Sequence, residues 1–218
     1  MRPVILDTWS YTTTQIHQAT VLPDGCRDLI QRVPRHGTSS WFVSALDDTA
    51  RHVTIGADQC MRGFRLRPGV QVNEERLLHL VSSMNVESGA FLEAEEVCER
   101  IEDCCEMSAN TEDALAVLQR VNSVAIAAQE LGVSVRTLQR HLFRATGRTP
   151  VYWLQLARIR FAAREMLRGV SLVELADVVG FSDQAHMTRE FQRWFQLTPT
   201  QFQRNSILVE QIQQLGYP

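Results

Sequence analysis

A tandem repeat in the second half of the chain limits its possible folds more than any other feature. Residues 123–134, SVAIAAQELGVS, align with residues 171–182, SLVELADVVGFS. After one inserted residue, QRHLFRATGRTPVYW aligns with TREFQRWFQLTPTQF. Ala128/Ala176, Gly132/Gly180, Ser134/Ser182, Arg140/Arg189 and Thr149-Pro150/Thr198-Pro199 match outright, and Leu142/Phe191 and Trp153/Phe202 match in kind. A repeat of this length marks one supersecondary unit used twice.

Each copy has the parts of a helix-turn-helix. A short helix, 124–131 or 172–179, ends at a Gly able to take the left-handed conformation that closes a helix. An apolar residue, Val133 or Phe181, is expected to plug the turn. Ser134 or Ser182 then caps the following helix by accepting from its free N–H groups. The second helices, predicted over 134–145 and 182–195, bury Leu138 with Leu142 and Met187 with Phe191, pairs one turn apart. Their other faces stay polar. Asp183 is expected to favour the second helix through its dipole, or to accept from cytosine N4. His141 is expected to be solvated or packed.

The stretch TPVYWLQLARIRFAAREMLRG joins the copies, apolar at helical spacing and without internal Gly or Pro. About 20 residues at ~1.5 Å each give a rod near 30 Å. One turn of B-DNA is ~34 Å, so helices at its two ends suit successive major grooves. Arg can pair bidentately with guanine O6 and N7, and Gln with adenine N6 and N7. Arg144 and Arg193, near the helix ends, suit phosphate contacts that position the protein.

The charge distribution agrees. Every one of the 22 basic residues is Arg, and the net charge is −3. Residues 1–110 carry 10 Arg against 16 acids, whereas residues 111–218 carry 12 Arg against 9. Residues 134–168 hold eight Arg and one acid, Glu165. A basic stripe in a net acidic protein is the footprint of a polyanion partner. Conversely, residues 87–107 hold eight carboxylates and one Arg, a solvated face or a partner surface.

The first seventy residues read differently. TQIHQATVL, RDLIQRV, SSWFVSAL, ARHVTIG and CMRGFRL are strand-like runs separated by Pro, Gly and Asp turns. From about residue 73 the spacing becomes helical. The expected fold is α+β. A small β-rich, barrel-like N-terminal domain with helices precedes an all-α domain of two helix-turn-helix units joined by a long helix. The predicted divisions are 1–72, a β-rich sensor-like domain, 73–108, a helical connector or dimerisation segment, and 109–218, the DNA-binding domain.

SVRTLQRHLFRATGRTP and VELADVVGFSDQAHMTREFQRWFQLTP fit a family pattern over nearly its full length. Residues 111–204 resemble the DNA-binding domain of the AraC/XylS family of bacterial transcription regulators. The resemblance implies promoter DNA as ligand, usually with activation through RNA polymerase. Carried over by motif, base contacts fall at Arg136, Gln139 and Arg140, and at Gln184, Ala185, His186 and Arg189. Gln196 departs from the family's usual Gly, and Met187 from its usual Phe. VLPDGCRDLI and GFRLRPGV resemble a small sensor domain of such regulators, implying a small-molecule effector or a homodimer. The residues singled out there are Asp24, Cys26, Arg27, Asp28, Arg65 and Arg67.

A competing class is a thiol- or metal-responsive regulator, or a methyl-accepting repair regulator. Methyl acceptance needs four gathered thiolates. Here Cys26 and Cys60 stand alone and only Cys98, Cys104 and Cys105 cluster. Five cysteines suit no disulfide framework. No catalytic constellation, cofactor motif or metal-ligand spacing is present, so no enzyme is expected. No apolar run approaches a membrane span, and MRPVILDTWSY is too short an apolar stretch for a signal peptide. A cytoplasmic location is expected.

Overall fold

The computed structural model describes residues 3–84 and 90–217. Of the acidic stretch 87–107, residues 87–89 lie outside the described residues. The strands are β1 (Ile5–Thr13), β2 (His17–Val21), β3 (Arg27–Pro34), β4 (Ser40–Val43), β5 (Arg51–Ile55), β6 (Gln59–Leu66), β7 (Gln71–Val72) and β8 (Cys105–Glu106). The helices are α1 (Glu74–Ser83), α2 (Ala94–Cys104), α3 (Ala109–Arg120), α4 (Val124–Glu130), α5 (Val135–Thr146), α6 (Pro150–Leu167), α7 (Leu172–Val179), α8 (Gln184–Phe195), α9 (Pro199–Gln203) and α10 (Ser206–Gln213). The fold is α+β.

The chain forms two units. One comprises Met1–Ala19, Cys26–Leu46 and His52–Ser108, and the other Thr20–Gly25, Asp47–Arg51 and Ala109–Pro218. The first is built on a four-stranded sheet of order β1-β6-β3-β4, antiparallel at each junction. β2 pairs with β5, and β7 with β8, in separate two-stranded sheets. The barrel expected from strand spacing is therefore an open sheet with ribbons. Alternation along β3 and β6 sends Leu29, Val33, Phe64 and Leu66 to one buried face. Leu77 and Val81 of α1 join that core with Val97 and Ile101 of α2, so both helices share a core with the sheet.

β1 is mostly exposed, and one close approach anchors it. Trp9 lies across from Gly63 of β6, where any Cβ would clash with the indole. The space left by Gly63 lets Trp9 Nε1 donate to Asp28 Oδ1 on β3, at 2.8 Å.

The second unit is helical apart from its two borrowed segments. α6 is its spine, with Trp153, Leu156, Ile159, Ala162, Ala163 and Met166 almost wholly buried. Arg160, also buried, donates from Nε to Tyr217 O at 2.6 Å and from Nη1 to Pro23 O at 3.2 Å. It thus ties the C-terminal tail and the segment 20–25 to the spine. Gly25, at φ 73, lies where a Cβ would come 2.8 Å from Tyr217 Cβ and 2.9 Å from Trp153 Cζ3. The segment 47–51 is held by Tyr152, whose hydroxyl donates to Asp47 O at 3.0 Å, and by Ala50 N donating to Trp194 O at 2.6 Å.

Candidate nucleic-acid interface

In the first repeat, Ser123 caps α4 by accepting from Ile126 N at 3.2 Å. Gly132 takes φ 66, and Val133 N donates back to Ala128 O at 2.9 Å. Ser134 then caps α5, accepting from Thr137 N at 3.1 Å. Val133 does not plug the turn as expected, because 39% of it remains exposed. α5 buries Leu138, Leu142 and Ala145. That sets the helix roll and leaves Arg136, Gln139, Arg140 and Arg144 exposed. His141 is packed, with Nε2 3.0 Å from the Thr111 hydroxyl.

The second repeat follows the same plan with one correction. Ser171 caps α7, Gly180 takes φ 77, and Phe181 does plug its turn, at 7% exposed. However, α8 starts at Gln184 and not at 182, and its N-cap is Asp183, accepting from His186 N at 2.6 Å. Ser182 turns to the imidazole instead. Its N–H donates to His186 Nδ1 at 3.3 Å, and its hydroxyl lies 3.1 Å from the same atom. An acceptor at Nδ1 leaves the ring hydrogen on Nε2, so one edge of His186 is committed to the turn. The ring also meets Phe181 edge-on at 5.4 Å.

Met187, Phe191, Trp194 and Phe195 anchor α8. Phe191 and Phe195 pack with Phe202 at centroid distances of 6.0 and 5.0 Å. The Thr-Pro pairs open the next helices alike. Thr149 caps α6, accepting from Tyr152 N at 3.4 Å, and Thr198 caps α9 in a capping box with Gln201. α6 has 18 residues, giving a rod of about 27 Å.

Gln184, Ala185, Arg189 and Arg193 are exposed, and His186 is half-buried. Among the described residues, Arg136, Arg140, Arg144 and Arg189 have no ion-pair partner. Arg193 is different. Its Nη1 lies 3.2 Å from Glu190 Oε2 and 3.4 Å from Gln155 Oε1. Two capped helices, rolled by their buried pairs, thus each present Gln and Arg to solvent, residue types whose side chains can donate to base edges and phosphates. Phe143, absent from the sequence reading, is exposed on the α5 face as well. Counting helical turns from Arg136 would have found it.

Residues 127–205 match the helix-turn-helix domain family. The matched residues lie within the helical unit and span both repeats. The transcriptional regulator RipA of Corynebacterium glutamicum is 36% identical over 76 residues, 35% of this chain and 23% of that protein. The transcriptional activator RhaS of Escherichia coli is 38% identical over 74 residues, 33% of this chain and 26% of that protein. The chain therefore covers only about a quarter of the length of these relatives. The solved structure of ToxT from Vibrio cholerae O395 aligns over 91% of this chain and 96% of its own, at 10% identity and a TM-score of 0.47.

The six residues singled out near the N-terminus are divided between the two units, Asp24 in one and the other five in the sheet unit. Asp24 lies in the same unit as the helix-turn-helix repeats, where its carbonyl accepts from Tyr217 N at 2.8 Å. Cys26 is buried. Arg27 donates from Nε to Ser44 O at 2.8 Å and pairs with Glu74 at 2.6 Å. Asp28 and Arg65 do meet, Nε to Oδ1 at 3.4 Å, largely shielded. Arg67 donates to Pro3 O at 2.7 Å.

Two thiols are driven away from reactivity. Burial, reinforced by Cys104, pushes the Cys105 thiol up to about 12, and burial also raises Cys98. A nucleophilic or metal-binding thiol needs the opposite shift. Among the described residues, no group of three or more His, Cys, Asp or Glu could hold a metal ion. No helix among them is long and apolar enough to cross a membrane.

Proposed function

We propose that the protein is a sequence-specific transcription regulator that reads promoter DNA in two successive major grooves with α5 and α8. The observation that carries this reading is the pair of equivalent helices whose Arg140 and Arg189 stand exposed, without carboxylate partners among the described residues. An arginine held out in this way is available to guanine or phosphate. On this reading Arg136, Gln139, Arg140, Gln184, Ala185, His186 and Arg189 face bases, and Arg144 and Arg193 hold phosphate. Arg193 would exchange Glu190 for the DNA backbone.

The names of RipA and RhaS, a transcriptional regulator and a transcriptional activator, support transcription control; activation through contact with RNA polymerase is part of the proposal. The sheet unit is proposed to bind a small effector or to dimerise, with the shielded Asp28–Arg65 pair as the polar feature an effector would meet. The protein is proposed to act without enzymatic activity, in the cytoplasm. Raised thiols count against the thiol- or metal-responsive alternative. Footprinting on the promoters adjoining its own gene tests the reading. Protection of two segments one helical turn apart supports it, and uniform or absent protection counts against it.

A further inference from the structure

α5 carries an aromatic ring that the fold does not use. Phe143 is 60% exposed, although the helix has already closed its apolar side with Leu138, Leu142 and Ala145. Among the described residues it has no aromatic or cation–π partner. Its position on the helix is informative. With 3.6 residues per turn, Phe143 lies within about 20° of Arg136, about 40° of Gln139 and about 60° of Arg140. It therefore stands amid the polar face and not on the border between core and solvent. The equivalent residue of the second repeat is Gln192, also exposed, so the repeat itself does not demand an aromatic there.

A major groove offers few apolar features to such a ring, and the C5-methyl of thymine is the chief one. We infer that Phe143 is a specificity residue that packs on a thymine methyl, which rests on the DNA-reading proposal above. Seven residues separate it from Arg136, about 10.5 Å along the helix. At 3.4 Å per base-pair step, the favoured thymine lies on the order of three steps from the base read by Arg136. The first repeat thereby gains a preference that the second, with Gln192, lacks.

The test uses the full chain and a duplex selected from a randomised pool. Each thymine of the selected site is replaced in turn by deoxyuridine, which deletes only the methyl. Affinities are measured for wild type, Phe143→Gln and Arg140→Ala. In wild type, one substitution in the segment read by α5 should weaken binding about fourfold, the worth of one buried methyl. Phe143→Gln should bind thymine and uracil there alike, while melting as wild type because the side chain is exposed. If no methyl effect is lost in Phe143→Gln while Arg140→Ala still weakens binding, the inference is overturned and the DNA reading stands. If the pool yields no enriched sequence, the DNA reading fails and the inference with it.

Discussion

Gly147 and Gln196 occupy the same left-handed corner in the two repeats. Each closes its second helix, at φ 69 and φ 59, and each N–H donates four residues back, to Phe143 O at 2.9 Å and Gln192 O at 3.0 Å. Glycine adopts this conformation freely, whereas a side chain is strained in it. Gln196→Gly should therefore raise stability by about 0.5–1 kcal/mol, and Gly147→Gln should lower it by about 1 kcal/mol. Urea unfolding with an unchanged m-value measures both. A neutral or destabilising Gln196→Gly would mean that the glutamine side chain compensates for its backbone.

The cap of α8 separates two adjacent candidates. Asp183 accepts from His186 N, whereas Ser182 is engaged with the imidazole. Asp183→Ala should cost about 1 kcal/mol, within the range of lost N-caps, and Ser182→Ala less. The reverse order in thermal or urea unfolding would reassign the cap.

Gly25 should tolerate no side chain. Its φ of 73 and the proximity of Tyr217 and Trp153 leave a Cβ both strained and crowded. Gly25→Ala should destabilise by about 1–3 kcal/mol, as overpacking does. Near-ultraviolet dichroism should report a changed environment for Trp153 and Tyr217. A variant with wild-type melting and spectra would show that this segment does not pack as described.

Tyr152 gives the protein an alkaline limit. Its pKa is raised above the ordinary 10.0, first by burial, with Arg148 opposing. The unfolded chain therefore releases this proton before the folded one. The contribution of Tyr152 is complete below pH 10 and is lost as pH rises from there toward the folded-state value. Tyr152→Phe should cost about 1 kcal/mol at neutral pH through the lost bond to Asp47 O. It should also lose less stability above pH 10 than wild type. Parallel unfolding curves for the two proteins across that range would contradict this.

Much of the interface was legible in the sequence because it depends on local spacing. Leu138 with Leu142, and Met187 with Phe191, fix the roll of each helix, and Ser134, Gly132 and Gly180 mark its turn without help from distant residues. Where two neighbours could serve, spacing alone favours the wrong one, Ser182 in place of Asp183. Ser182 and Asp183 are both good caps, and only the position of His186 separates them. Val133 and Phe181 look equivalent, yet the shorter valine stays exposed. β3 and β6 were legible through alternation. β1 was not, because its exposed pattern lacks a core face and its anchor joins Trp9 to Gly63 and Asp28 on other strands. The packing of residues 20–25 against Tyr217 and Arg160 was equally hidden, since those partners lie far along the chain.

The most direct measurement is the affinity of Arg140→Ala and Arg189→Ala for a selected duplex, compared with scrambled DNA at the same salt concentration. Each variant should lose about 1–3 kcal/mol on the selected site, keep most of its weak affinity for scrambled DNA, and relax its preference in a different groove segment. If both variants bind the selected site as wild type does, α5 and α8 are not the reading helices.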